Sequence, residues 1–135
     1  MALVFVACVA SPARVHKTAW RSGSRSSVRP ADPAYTAALA TANRFLHAWQ
    51  TQDHETGIMM LTDAARQNVS RDRLQEFFSP GPDAAFEIQR GRLLSGQYVF
   101  PVVLFGSPGL DAHPRASALV IRQLGKDDWA VDKLP

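Results

Sequence analysis

An α+β domain, with helices first and an antiparallel sheet after, is the fold class this sequence predicts, and three observations predict it. An apolar stripe of helical period runs from Tyr35 to Trp49. Ser79-Pro80-Gly81-Pro82 then ends all helix, because two prolines and a glycine remove donors and fix turns. Beyond that stop the apolar period falls to two, with short turns between the runs.

The first helix opens at Asp32-Pro33, an N-cap oxygen followed by a proline at the position where a missing N–H costs nothing. Tyr35, Ala38, Leu39, Ala42, Phe45, Leu46 and Trp49 recur at three- and four-residue steps, while Thr36, Asn43, Arg44 and His47 fall outside the stripe. The pattern predicts a helix of about 19 residues to Gln52, roughly 28 Å long, with one buried face. Burial of Phe45, Leu46 and Trp49 contributes about 1.5 to 3 kcal/mol each before the entropy of ordering them. After a break around Asp53 and Gly57, Ile58 to Leu61 form a short apolar patch, and Thr62 and Ser70 are N-caps for two further helical turns, the second carrying Leu74, Phe77 and Phe78.

In the sheet half, Phe86 and Ile88 alternate with Glu87 and Gln89, and Leu93-Leu94 lead into a Ser95-Gly96 turn. Tyr98 to Phe105 is apolar on both faces: Tyr98, Phe100, Val102 and Leu104 suit a face against helices, which leaves Val99, Val103 and Phe105 on the other, where a second subunit would cover them. Pro101 within this run removes a ladder donor and points to an edge position or a bulge. A loop from Gly106 to Pro114 follows. Ala116 to Leu124 resumes the β pattern with Ala118, Val120 and Ile121, and Trp129, Val131 and Leu134 end the chain after a turn at Gly125 to Asp128. About four consecutive strands with short turns make an antiparallel meander on the helices.

Residues 1–30 stand apart from this domain, which occupies 31–135. They hold five basic groups and no acid, leaving ten basic against twelve acidic groups from residue 31 onward. The basic pI near 9.5 is therefore a property of the N-terminal segment, and nothing interleaves aromatic with basic residues in the way a single-strand nucleic-acid binder requires. Ala2 to Ala10 is an apolar run shorter than the about 20 residues of a membrane-spanning helix but of signal-peptide length. Ser11-Pro12-Ala13 offers a cleavage site, and Phe5 to Cys8 loosely resembles a lipoprotein box in which Cys8 would be lipidated. No Lys or Arg precedes the run. Export to the periplasm or envelope is the expectation, with membrane attachment only through this segment and a cytoplasmic extension as the alternative. Arg21 to Pro30, rich in Ser and Arg, is a linker.

The opening helix with Phe45-Leu46-His47-Ala48-Trp49 and Asp53, then Leu61-Thr62 with Ala65-Arg66, Ser70 and Leu74, then the closing Asp128-Trp129-Ala130-Val131-Asp132, together resemble the NTF2-like (SnoaL-like) superfamily over about residues 34 to 134. The resemblance implies a long helix and shorter ones across a strongly curved antiparallel sheet, a cone with an apolar pocket, and frequent homodimers. It implies no one activity, since the fold hosts isomerases, dehydratases and non-catalytic domains of exported proteins.

A single cysteine, Cys8, excludes an intrachain disulfide and a cysteine-based zinc site, and His16, His47, His54 and His113 lack metal-ligand spacing, so no metal or cofactor is implied. Gly106-Ser107-Pro108-Gly109 is a turn rather than a nucleophile elbow. Asp53 and His54 are the one adjacent acid and imidazole in the domain; Asp53 would continue the apolar stripe of the first helix, where burial could raise it to a general base, or it caps the next short helix. Trp49, Met59, Met60, Tyr98 and Trp129 are the aromatic and Met side chains that suit a pocket for a small apolar ligand, or a core. These residues favour a non-catalytic exported domain that binds a small apolar ligand or a partner protein, with a lyase or isomerase using Asp53 and His54, or a structural envelope accessory domain, as the rival readings.

Overall fold

The computed structural model describes residues 32–107 and 113–135. The apolar run with Cys8, the cleavage site, the linker and part of the loop after Gly106 lie outside the described residues.

Four helices precede five strands: α1 Pro33–Gln50, α2 His54–Met59, α3 Asp63–Asn68, α4 Arg71–Phe77, β1 Ala85–Ile88, β2 Arg92–Leu94, β3 Gln97–Phe105, β4 Arg115–Gln123 and β5 Trp129–Lys133. Each helix opens on a side-chain cap. Asp32 accepts from the Ala34 amide, Asp53 from Thr56, Thr62 from Ala65 and Ser70 from Arg73. The chain leaves α1 at Gln50, short of the expected Gln52, because Gln52 adopts a left-handed φ of 58° that turns the backbone and hands it to the Asp53 cap. Asp53 therefore lies beyond the α1 stripe. Gly57 sits inside α2 rather than in a break, where a Cβ would collide with the ring of the fully buried Phe78.

The sheet is antiparallel in the order β1-β3-β4-β5, with β2 also paired to β3. It has five strands rather than about four, because Leu93-Leu94 form their own short strand and close a two-residue hairpin on β3. Ser95 and Gly96 both have positive φ, as a hairpin turn matched to strand twist requires. β3 is central, and its proline is accommodated by the gap between β1 and β2. The Pro101 carbonyl accepts from Gln89, so its missing N–H faces the irregular stretch that separates those two strands and no ladder bond is lost.

The alternation of β3 is as the sequence implies: Tyr98, Phe100, Val102 and Leu104 are buried under the helices, Val99 and Val103 are half-buried on the other face, and Phe105 is exposed. On β4 the inward residues are Leu119 and Ile121, while Ala118 and Val120 lie outward. β5 is joined on its free side by a parallel bridge from Leu61 to Val131, which covers an edge that would otherwise be open to pairing.

Two aromatic clusters flank the core. Tyr35, Tyr98, Phe100 and Trp129 meet near the start of α1, and Phe45, Trp49, Phe77 and Phe78 meet near its end, with rings 5.1 to 6.4 Å apart. Tyr35 and Trp49 are separated by about 21 Å of helix.

Candidate functional site

A cleft of about 720 Å³ opens beside the second cluster. α1 supplies Trp49, α4 supplies Phe77, and the chain after β5 supplies Leu134, which together form an apolar wall. Arg73, Glu76, Arg115, Asp132 and Lys133 are the charged side chains of the lining. A volume in this range suits a small organic molecule.

Two buried side-chain polar atoms among the described residues have no hydrogen-bond partner: Trp49 Nε1 and Ser107 Oγ. Both belong to residues of this one cleft wall. Buried donors are nearly always satisfied, and an orphan costs about 1 to 3 kcal/mol, so the two together single out this cleft wall among the described residues.

The wall also includes Asp132 and Gln97. Asp132 is engaged: Oδ1 accepts from the Thr62 hydroxyl at 2.9 Å, Oδ2 accepts from Gln97 Nε2 at 2.8 Å, and the Arg122 guanidinium lies 3.9 Å away. The Thr62 hydroxyl in turn accepts from the Ala65 amide, so this carboxylate ties β5 to β3 and to the cap of α3.

Of the pocket residues expected from the sequence, only Trp49 lines the cleft. Met59 is 72% exposed on α2, and Met60 packs half-buried against the core. Tyr98 and Trp129 meet in the first cluster with their rings 5.8 Å apart and tilted by 51°, and the Tyr98 hydroxyl donates to Asp32 Oδ2 at 3.0 Å. Burial there, with the Asp32 bond second, raises the Tyr98 pKa above the ordinary tyrosine range.

Neither Asp53 nor His54 lines the cleft. Asp53 is exposed and accepts from the Thr56 amide at 3.0 Å; its hydrogen bonds with Thr56 hold its carboxyl below the ordinary carboxylate range, opposite to the direction a general base near neutrality needs. His54 is half-buried with its ring 5.8 Å from that of Phe78, in a separate recess of about 370 Å³ that also contains Arg66 and Arg71. The described residues contain no group of three metal-ligating side chains.

Ser107, Arg115, Phe77 and Leu134 were not singled out as site residues by sequence reasoning. The available signal was the inward parity of β4: counting back by twos from Leu119 gives Ser117 and Arg115, polar residues where an apolar face should continue.

No family model matches the chain, and no curated protein does. Solved structures do. A ketosteroid isomerase-like protein from Erwinia carotovora atroseptica SCRI1043 superimposes with a TM-score of 0.51 at 17% identity, over 76% of this chain and 93% of that one. An uncharacterized cystatin fold protein from Novosphingobium aromaticivorans gives 0.51 at 19% identity, over 73% of this chain and 97% of that one. The fold is an NTF2-like cone. At these identities the likeness extends to the fold alone, and the chemistry of the NTF2-like cleft has to be read from its own residues.

Proposed function

We propose that this NTF2-like domain acts by binding rather than by catalysis, holding a small, largely apolar molecule in the cleft beside Trp49. What carries the reading is Trp49, a residue of the apolar cleft wall whose fully buried indole N–H has no partner among the described residues. An indole can only donate, so it selects a ligand with an acceptor atom at one point of an otherwise apolar body. Of the two side-chain carboxylates on the wall, Asp132 already accepts from Thr62 and Gln97, which favours a cross-tie over a free base, and Glu76 is exposed to solvent. The apolar run from Ala2 to Ala10 supports the cell envelope as the setting.

Intact mass measured on protein purified from its own host, first under native and then under denaturing conditions, tests this. The expected result is an excess mass that disappears on denaturation. A native mass equal to the chain alone, together with a Trp49 indole resonance that no added hydrophobic compound shifts, would return the domain to the accessory-domain reading.

A further inference from the structure

The polar part of the cleft narrows the ligand class, and this inference rests on the binding reading above. Arg115 stands directly opposite Leu104, and Ser117 opposite Val102. Opposed residues of an antiparallel pair share a face, and Leu104 and Val102 are buried in the core, so Arg115 places a guanidinium on the inward face of the sheet at its last rung. The two ion pairs among the described residues are Arg66 with Asp63 and Arg122 with Asp132, so no described carboxylate lies within ion-pair distance of Arg115.

Ser107 follows the end of β3, the strand that pairs with β4 at Arg115, and its buried hydroxyl has no described partner. The rest of the charged lining is Arg73 and Lys133 against Glu76, with Asp132 engaged by Thr62 and Gln97. Among the lining side chains this is an excess of cationic donors over free acceptors beside an apolar wall. Glu76 makes the lining a poor match for a phosphate dianion, whereas one guanidinium fork and one hydroxyl match the size, planarity and charge of a carboxylate.

The geometry points to an amphiphilic carboxylic acid as the ligand class, its apolar body over Trp49, Phe77 and Leu134 and its carboxylate at Arg115 and Ser107. The test pairs two probes with the same tail, octanoate and 1-octanol, followed by the Trp49 indole N–H resonance, which Trp49→Phe assigns. A hydrogen bond to a charged group is strong enough for octanoate to bind about tenfold more tightly than octanol. Arg115→Gln, at an exposed position with fold checked by an unchanged melting temperature, should erase that ratio. Equal affinities in the unaltered protein, or a preference that survives Arg115→Gln, would overturn the carboxylate assignment while leaving an apolar binding cleft. If neither probe moves the Trp49 resonance, the binding reading itself falls and this inference with it.

Discussion

The two ends of α1 carry aromatic clusters of similar make-up and opposite chemistry. At the first end each phenol is paired: the Tyr98 hydroxyl donates to Asp32, and the Tyr35 hydroxyl accepts from the Gly91 amide at 3.2 Å. At the second end Trp49 Nε1 and Ser107 Oγ have no partner among the described residues, and the cleft opens there. Aromatic content does not separate the two, because each gathers four aromatic side chains. Hydrogen-bond satisfaction does: the first cluster is finished as a core, whereas the second holds two buried polar atoms without a partner among the described residues.

The largest effect that can sharpen this comparison is a tryptophan deletion at each end. Trp49 is fully buried, so Trp49→Ala should cost about 3 to 5 kcal/mol, the range for an aromatic residue removed from a packed core. Trp129 is only half-buried at the rim of the first cluster, and Trp129→Ala should cost distinctly less. Denaturant unfolding of the two variants measures both, and equal losses would mean that the ends do not differ in packing as described.

A smaller effect distinguishes a paired polar atom. Tyr98→Phe removes a hydrogen bond and leaves Asp32 Oδ2 without its donor, for a loss of about 0.5 to 1.5 kcal/mol. The pH dependence has a definite sign. The folded-state pKa of Tyr98 lies above its unfolded value, so its contribution is fully present below about pH 10 and is lost as pH rises through the folded pKa. Stability measured from pH 8 to 11.5 should fall more steeply for the unaltered protein than for Tyr98→Phe; parallel curves would show that the phenol is not protected.

The same contrast explains what the sequence made legible. The helix starts were readable because a cap and its amide lie within a few residues, as at Asp32, Thr62 and Ser70. The inward face of β3 followed from period two, and the Ser95-Gly96 turn from its residues. The NTF2-like fold was legible because these local signals agree with one another. The cleft was less so. Trp49, Tyr98 and Trp129 look alike as candidate pocket residues, and what separates them is a partner 66 positions away in the case of Tyr98 and none in the case of Trp49. Such pairing is set by the closure of the sheet over α1, which no local window contains. Pro101 shows the same limit. Its tolerance in a central strand depends on where β1 stops and β2 begins, a feature of the neighbouring chain rather than of its own strand.

The smallest expected change is the most discriminating. Replacing Trp49 by 3-benzothienylalanine keeps the two fused rings and exchanges only the N–H for sulfur. If the indole N–H is an orphan in the free protein, no hydrogen bond is lost and a desolvated donor is removed, so stability should hold or rise by a few tenths of a kcal/mol. Ligand binding should nevertheless weaken, because the acceptor on the ligand loses its donor. Stability and affinity would then move in opposite directions at one atom, which neither a core role nor a general packing defect produces. A stability loss near that of Tyr98→Phe would mean that Trp49 Nε1 already has a partner in the free protein, and the two ends of α1 would then be equally complete.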